Sequence, residues 1–338
     1  MKTFPIFLLP KGETMMTAKI TGNEIEFFKK TLFPSNKRYS ISESGLAVCL
    51  DTEKKLIIYG NLSEDGDMGD VTVLPFPDII SPKSILTFKN CIVLGGENNN
   101  SYSGTIKSQE LVAIYSLTDN KFTAVEMPFK HYDKCVDDLL LDTDNKVLAV
   151  DNIIFPKYLI EYDFSNPLFP NLIAWHSLPN NGTYETIKKG TLNDSYVALL
   201  STSVGSGGSG TYINIFRKGD YVNHVGLSQY RNFNQNIDKN CLWRDILLLP
   251  NRQFLFISSH EKGIGVYFIK NSKIKNDFTE DSDSIKYINK WNKPVKKILL
   301  HPQSDDTVLI IFEEGGLQNL LYSFSLESID LLLSNFEQ

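Results

Sequence analysis

The sequence has only four cysteines in 338 residues, too few and too scattered for a disulfide framework. No apolar run approaches the ~20 residues that a membrane-spanning helix needs, so no membrane partner is expected. Basic residues are not in excess: 34 Lys plus Arg face 40 Asp plus Glu, for a formal charge of -6. That balance lacks the basic stripe of a dedicated nucleic-acid binder. Long windows of helical periodicity are missing as well. The five histidines, His131, His176, His224, His260 and His301, include no pair at metal-ligand spacing, so neither a metal nor a cofactor is expected. There is no GxSxG elbow for a hydrolase nucleophile. The Ser/Gly run Ser201–Gly210 lacks the GK[ST] ending of a phosphate cradle and reads as a flexible hairpin tip. Cys49, Cys91, Cys135 and Cys241 read as isolated reduced thiols. The short N-terminal run Phe4–Leu9, broken by Pro5, reads as a first strand rather than a signal peptide. Together these point to a cytoplasmic protein.

What is present is apolar residues in short runs. Leu46–Leu50, Lys55–Tyr59 and Val71–Leu74 are separated by Asp51–Lys54 and Ser63–Asp67, which are turn chemistry. β-branched and aromatic residues dominate the runs, as a pleated, half-buried surface prefers. The segment Ser328–Phe336 is open between a terminal strand and a short helix.

The sets recur. Their most apolar strands begin near Leu46, Cys91, Val147, Tyr196, Phe254 and Thr307, at intervals of about 45 to 58 residues. A period of roughly 40–50 residues with four strands per unit is the pattern of a β-propeller. The expected fold is therefore all-β: a single propeller domain over residues 1–338, built of four-stranded blades. Blades are expected near 3–33, 37–78, 82–130, 135–180, 184–228, 241–292 and 294–334. Seven is the expected count and six the alternative, with the ring closed by strands from the two chain termini. Val136–Leu141, Lys146–Val150, Tyr158–Tyr162 and Leu172–His176 make the clearest blade. Trp243–Leu249 and Val295–Leu300 open two later blades in the same way. Trp175, Trp243 and Trp291 are expected to pack between blades.

The segment Leu159–Ile173 resembles one LVIVD repeat, with its apolar strand, the Asp163–Pro167 turn and a second strand. The other units resemble WD40-like blades, without the Gly-His and Trp-Asp dipeptides of true WD40 repeats. The resemblance implies the propeller fold and carries no functional residues with it. Val136–Asp142 is also similar to the inner strands of lactonase-type propellers, which hold calcium in a central channel.

On this reading the positions leading into the inner strands are Arg38, Lys83, Asp138, Glu185, Asp245 and Lys297. They are the candidate binding residues at the rim of a central channel. Three are basic and three acidic, a mixture that suits inter-blade salt bridges or a polar recognition surface better than a hard divalent cation. No catalytic residue is assigned. The expected function is a non-catalytic protein–protein interaction module or scaffold, a subunit or regulator within a bacterial complex, whose partner is another protein. The alternative is a lactonase-like metal-dependent hydrolase with its site in the channel. Asn98–Gln109, Val204–Gly210, Gln229–Asn240 and Ser272–Ser284 are the long loops expected to make contacts.

Overall fold

The computed structural model describes residues 6–11, 14–21, 24–34, 37–99, 110–126, 135–142, 145–151, 157–178, 184–205, 208–232, 243–250, 253–259, 263–269, 277–280, 285–288, 295–301, 304–312 and 321–325. All the regular structure among them is strand. β1 (Ile6–Lys11), β2 (Thr14–Thr21) and β3 (Glu24–Pro34) form a three-stranded sheet. β4 (Arg38–Ile41), β5 (Leu46–Asp51), β6 (Leu56–Asn61) and β7 (Thr72–Pro75) form the next. β8 (Ile80–Phe88), β9 (Cys91–Asn98), β10 (Glu110–Ser116) and β11 (Lys121–Glu126) follow, and then β12 (Val136–Leu141), β13 (Lys146–Asp151), β14 (Lys157–Asp163) and β15 (Asn171–Leu178). The fifth sheet holds β16 (Tyr184–Leu192), β17 (Tyr196–Gly205), β18 (Gly208–Arg217) and β19 (Asp220–Asn232). The sixth holds β20 (Trp243–Leu248), β21 (Phe254–Ser259), β22 (Gly263–Phe268) and, after β23 (Asp277–Glu280), β24 (Ile285–Ile288). β25 (Val295–His301), β26 (Ser304–Phe312) and β27 (Leu321–Ser325) form the last.

Among the strands named for each sheet, neighbours follow chain order and pair antiparallel. β5, with the sequence LAVCLD, is buried at every position, as a strand covered on both faces must be. Outer strands behave differently: β15 is exposed at most of its positions.

The sheets stack face to face in chain order. Leu8, Met15 and Phe33 of the first sheet pack with Ala47 and Cys49 of the second. Val48 and Ile57 pack with Ile92 and Ala113 of the third, and Val93 and Ile114 with Val147 and Ile160 of the fourth. Leu148 and Leu159 then meet Val197 and Phe216, and Ala198 and Ile213 meet Ile246 and Ile257. Phe256 and Val266 meet Ile298 and Val308 of the last sheet. Each fully buried Leu, Ile or Phe contributes about 1.5–3 kcal/mol, so these seams hold the stack together. The stack curls round. Lys297 Nζ of β25 donates to Tyr39 Oη of β4 at 3.1 Å, and Tyr39 donates to the Leu8 carbonyl of β1 at 3.0 Å.

Two features depart from expectation. The Ser/Gly run is paired strand for most of its length: Val204 stands opposite Ser209 and Gly205 opposite Gly208. The Ser272–Ser284 insertion contains a strand, β23, that leaves its own sheet and pairs parallel with β19, Val225 facing Asp277 and Ser228 facing Glu280. Residues 326–338, including the ambiguous terminal segment, lie outside the described residues.

Candidate functional site

The first strands of successive sheets pack side by side: β4 on β8, β8 on β12, β12 on β16, β16 on β20 and β20 on β25. Each of the last five carries a β-bulge in its first half or at its middle. One extra residue interrupts the register: Lys83 in β8, Asp137 in β12, Lys188 in β16, Arg244 in β20 and Lys296 in β25. A bulge kinks the strand and re-aims the following side chain. A four-residue pattern recurs around four of them: an apolar residue, the bulged charge, a second charge, then an apolar residue or glycine. It reads Val136-Asp137-Asp138-Leu139, Ile187-Lys188-Lys189-Gly190, Trp243-Arg244-Asp245-Ile246 and Val295-Lys296-Lys297-Ile298.

The residues just after the bulge are Ser84, Asp138, Lys189, Asp245 and Lys297, so from Asp138 onward the sign alternates from sheet to sheet. The carboxylates tie neighbouring sheets together. Asp138 Oδ2 accepts the Gly190 amide at 2.6 Å, and Asp245 Oδ2 accepts the Ile298 amide at 2.7 Å. Lys189 Nζ lies 2.5 Å from Asp245 Oδ1. Asp137 is buried; its Oδ2 takes the Ile187 amide at 3.2 Å and its Oδ1 takes the Cys135 thiol at 3.3 Å. Hydroxyls do the same work elsewhere: Ser40 Oγ accepts the Thr87 amide at 3.0 Å, and Thr191 Oγ1 accepts the Leu248 amide at 3.1 Å.

Arg38 reaches furthest. Its Nη1 donates to the Asp137 carbonyl at 2.7 Å and lies 4.0 Å from Asp138 Oδ1. β4 and β12 belong to sheets that are not neighbours in the stack, so the guanidinium reaches past the intervening strand β8. Burial pushes the Asp138 carboxyl up from its ordinary range, and Arg38 and the backbone amides of Gly190 and Leu139 offset only part of that. Lys297 shows the opposite balance. Burial pulls its ammonium down, but Tyr39 and Asp245 outweigh burial and the net shift is upward.

The six residues singled out from sequence are therefore not one equivalent set. Asp138, Asp245 and Lys297 hold the position after the bulge. Lys83 is itself a bulge residue and pairs with Glu97 of β9. Arg38 opens a strand that has no bulge. Glu185 stands opposite Ser203, ahead of the β16 bulge, and the residue equivalent to Asp138 in that strand is Lys189. Lys189 and Ser84 are the members that sequence reasoning missed. The four-residue pattern shared with the other three strands marks Lys189.

Trp243 is buried as expected, its Nε1 donating to Tyr287 Oη at 3.2 Å, but Trp175 is 50 % exposed on the outer strand β15. Trp291 lies outside the described residues, as do His131, His260 and Cys241. His224 is buried beside the Phe216 ring, and His176 lies 3.4 Å from Glu161. Among the described residues, no group of three His, Cys, Asp or Glu side chains is placed to hold a metal ion. Cys49, Cys91 and Cys135 are free and buried, and burial pushes the Cys49 thiol up to about 12. These three cysteines are expected to stay unmodified by iodoacetamide at neutral pH in the folded chain and to react fully in guanidinium. Peptide mass spectrometry checks this.

No family model matches the chain, and no curated protein matches it in sequence. Solved structures do match in shape. The structure of U3-55K superposes with a TM-score of 0.59 at 9 % identity, covering 96 % of this chain and 94 % of that one. The WD40 repeats of RRP9 give 0.58 at 8 % identity, covering 96 % and 92 %. The β-propeller domain of Cps50 (Swd1) from Myceliophteria thermophila gives 0.54 at 10 % identity, covering 95 % and 96 %. At such identities a likeness speaks to fold alone, and with the stack of antiparallel sheets it establishes that the chain is a β-propeller of WD40-like architecture.

Proposed function

We propose that this chain is a protein–protein interaction module, a seven-bladed ring that binds an acidic segment of another protein across the mouth formed by its bulged inner strands. One observation carries the reading. The carboxylates at that mouth are turned to backbone amides of the next sheet, whereas the bulged cations Lys188 and Arg244 are exposed. In a chain of formal charge -6, the mouth thus presents cations outward while its acids serve the scaffold. Such an arrangement steers an oppositely charged partner and fixes its register. The Asp137–Asp138 pair that suggested a lactonase-like channel has both side chains engaged by amides of β16, which fits a structural role. The proposed setting is a complex in the bacterial cytoplasm.

The test uses tagged full-length chain recovered gently from its source cells, wild type beside a Lys188→Glu, Arg244→Glu variant. The wild type should bring down a defined partner, and the charge reversal should reduce its recovery at least about tenfold. Recovery of wild-type chain alone overturns the proposal, as does a partner retained undiminished by the variant.

A further inference from the structure

Outer strands of sheets carry unpaired amides and carbonyls, and proteins blunt such edges with charge, proline or a covering strand. This chain does so at most of its outer strands. β7 ends in Pro75, β11 carries Lys121 and Glu126, and β24 carries Lys286. β19 is covered by β23. β15 differs. Its sequence, NLIAWHSL, contains no proline, Lys, Arg, Asp or Glu, and among the described residues only β14 pairs with it. Three of its five exposed residues are large and apolar: Trp175 and Ile173 are each 50 % exposed and Leu172 38 %, and Phe169, in the turn just before it, is 68 % exposed.

The register explains the shape of this patch. Glu161 faces Ala174 and Tyr162 faces Leu172, so Ile173 is a bulged residue thrust outward beside Trp175. Beyond the bulge, Ala174 to Leu178 is regular, each residue opposite one from Glu161 back to Lys157. On the neighbouring blade, the corresponding edge already holds an added strand through the four pairs from Val225–Asp277 to Ser228–Glu280. An outer edge of this propeller therefore accepts an extended segment over a span shorter than the regular part of β15.

We infer that the β15 edge is a second docking surface, independent of the channel mouth, and that its occupant is an extended, uncharged segment of another protein carrying apolar residues at alternate positions. The backbone of that segment would add a strand to the blade, and its side chains would cover Ile173 and Trp175. Area argues against a second copy of this chain as occupant. The four exposed side chains offer on the order of 400 Å², about half of what each partner of a stable dimer buries. One strand of a partner matches that size.

The probe is a fluorescein-labelled peptide, Lys-Thr-Ile-Thr-Val-Thr-Lys, titrated by anisotropy against the full chain. A control peptide has proline in place of the central threonine and cannot complete the ladder. The first peptide should bind and the proline control should not. Ile173→Lys with Trp175→Lys should weaken binding at least about tenfold, since charge on an edge opposes pairing. Leu32→Lys, at a still more exposed position on β3, should leave binding unchanged. Hydrogen exchange with peptide bound should slow at amides 174–178. Absence of binding at millimolar peptide overturns the inference, as does binding indifferent to the double substitution. A concentration-dependent dimer in sedimentation that the double substitution dissolves also overturns it, because the occupant is then a second copy.

Discussion

Asp245→Ala is expected to lower the unfolding free energy by about 3 kcal/mol, near the lower limit for removing one partner of a buried charged pair. The carboxylate is almost fully buried and serves three donors. Its Oδ1 accepts the Ile246 amide at 3.0 Å and the Lys189 ammonium at 2.5 Å, and its Oδ2 accepts the Ile298 amide at 2.7 Å. The last bond crosses from one sheet to the next, so alanine leaves a buried amide at the seam with no acceptor. Lys189 is 29 % exposed and can turn to water, which keeps the cost from rising further. Asp245→Asn keeps one acceptor oxygen and should recover about half of the loss. Lys189→Met leaves both amide bonds in place but strips the buried carboxylate of its cation, and should cost about 1–3 kcal/mol. Urea titration of the four proteins orders them; an alanine variant within about 0.5 kcal/mol of wild type would mean that the inter-sheet bond does not form.

Gly96→Ala should be worse than any conformational argument about glycine predicts. A Cβ built on Gly96 falls 2.1 Å from the Ser81 carbonyl oxygen and 2.8 Å from Pro82 Cα. Both are backbone atoms of the paired strand, so no rotamer change relieves the overlap, and β8 and β9 must separate beside the Pro82/Ser84 bulge. The expected cost is about 3 kcal/mol, the upper end for overpacking, and exceeds that figure if the bulge is lost. Two other glycines calibrate the result. Gly219 has φ +79° with nothing within 4 Å of an added Cβ, so alanine there meets only left-handed backbone strain of about 1–2 kcal/mol. Gly69 has ordinary space, its nearest atom being the Asn61 carbonyl oxygen at 3.6 Å, and alanine there should be nearly neutral. Thermal and urea unfolding of the three variants checks the order Gly96, Gly219, Gly69. A Gly96 variant no worse than Gly219 would mean that the β8–β9 seam is looser than the register requires.

The candidate site was only partly legible in the sequence. Asp138, Asp245 and Lys297 stand out because a charge inside an apolar run is conspicuous, and each proves to sit just after a bulge. Lys189 hid within the pair Lys188-Lys189, which reads as a solvated face. Ser84 carried no charge to attract notice. Glu185 leads into its inner strand as expected, but the bulge of that strand falls at Lys188, three residues further on. Trp175 reads as a packing residue because tryptophan usually packs, yet it is 50 % exposed and, among the described residues, only β14 pairs with β15.

The order of strands, the turns between them and the repeat of the sets follow from local chemistry: alternating or continuous apolar runs bounded by Asp, Asn, Gly and Ser. These properties belong to neighbouring residues, so an all-β chain of repeated meanders is legible in residue order alone. Whatever depends on a second strand is settled by packing instead. A bulge is a mismatch in length between two paired strands, so neither shows it alone. β23 joined β19 because its own sheet closed through β22 and β24, a choice between two distant edges that four residues cannot encode. The inward or outward aim of each charge follows from those registers. The candidate site was therefore written in residue types along the chain but assembled only where neighbouring sheets set one another's register.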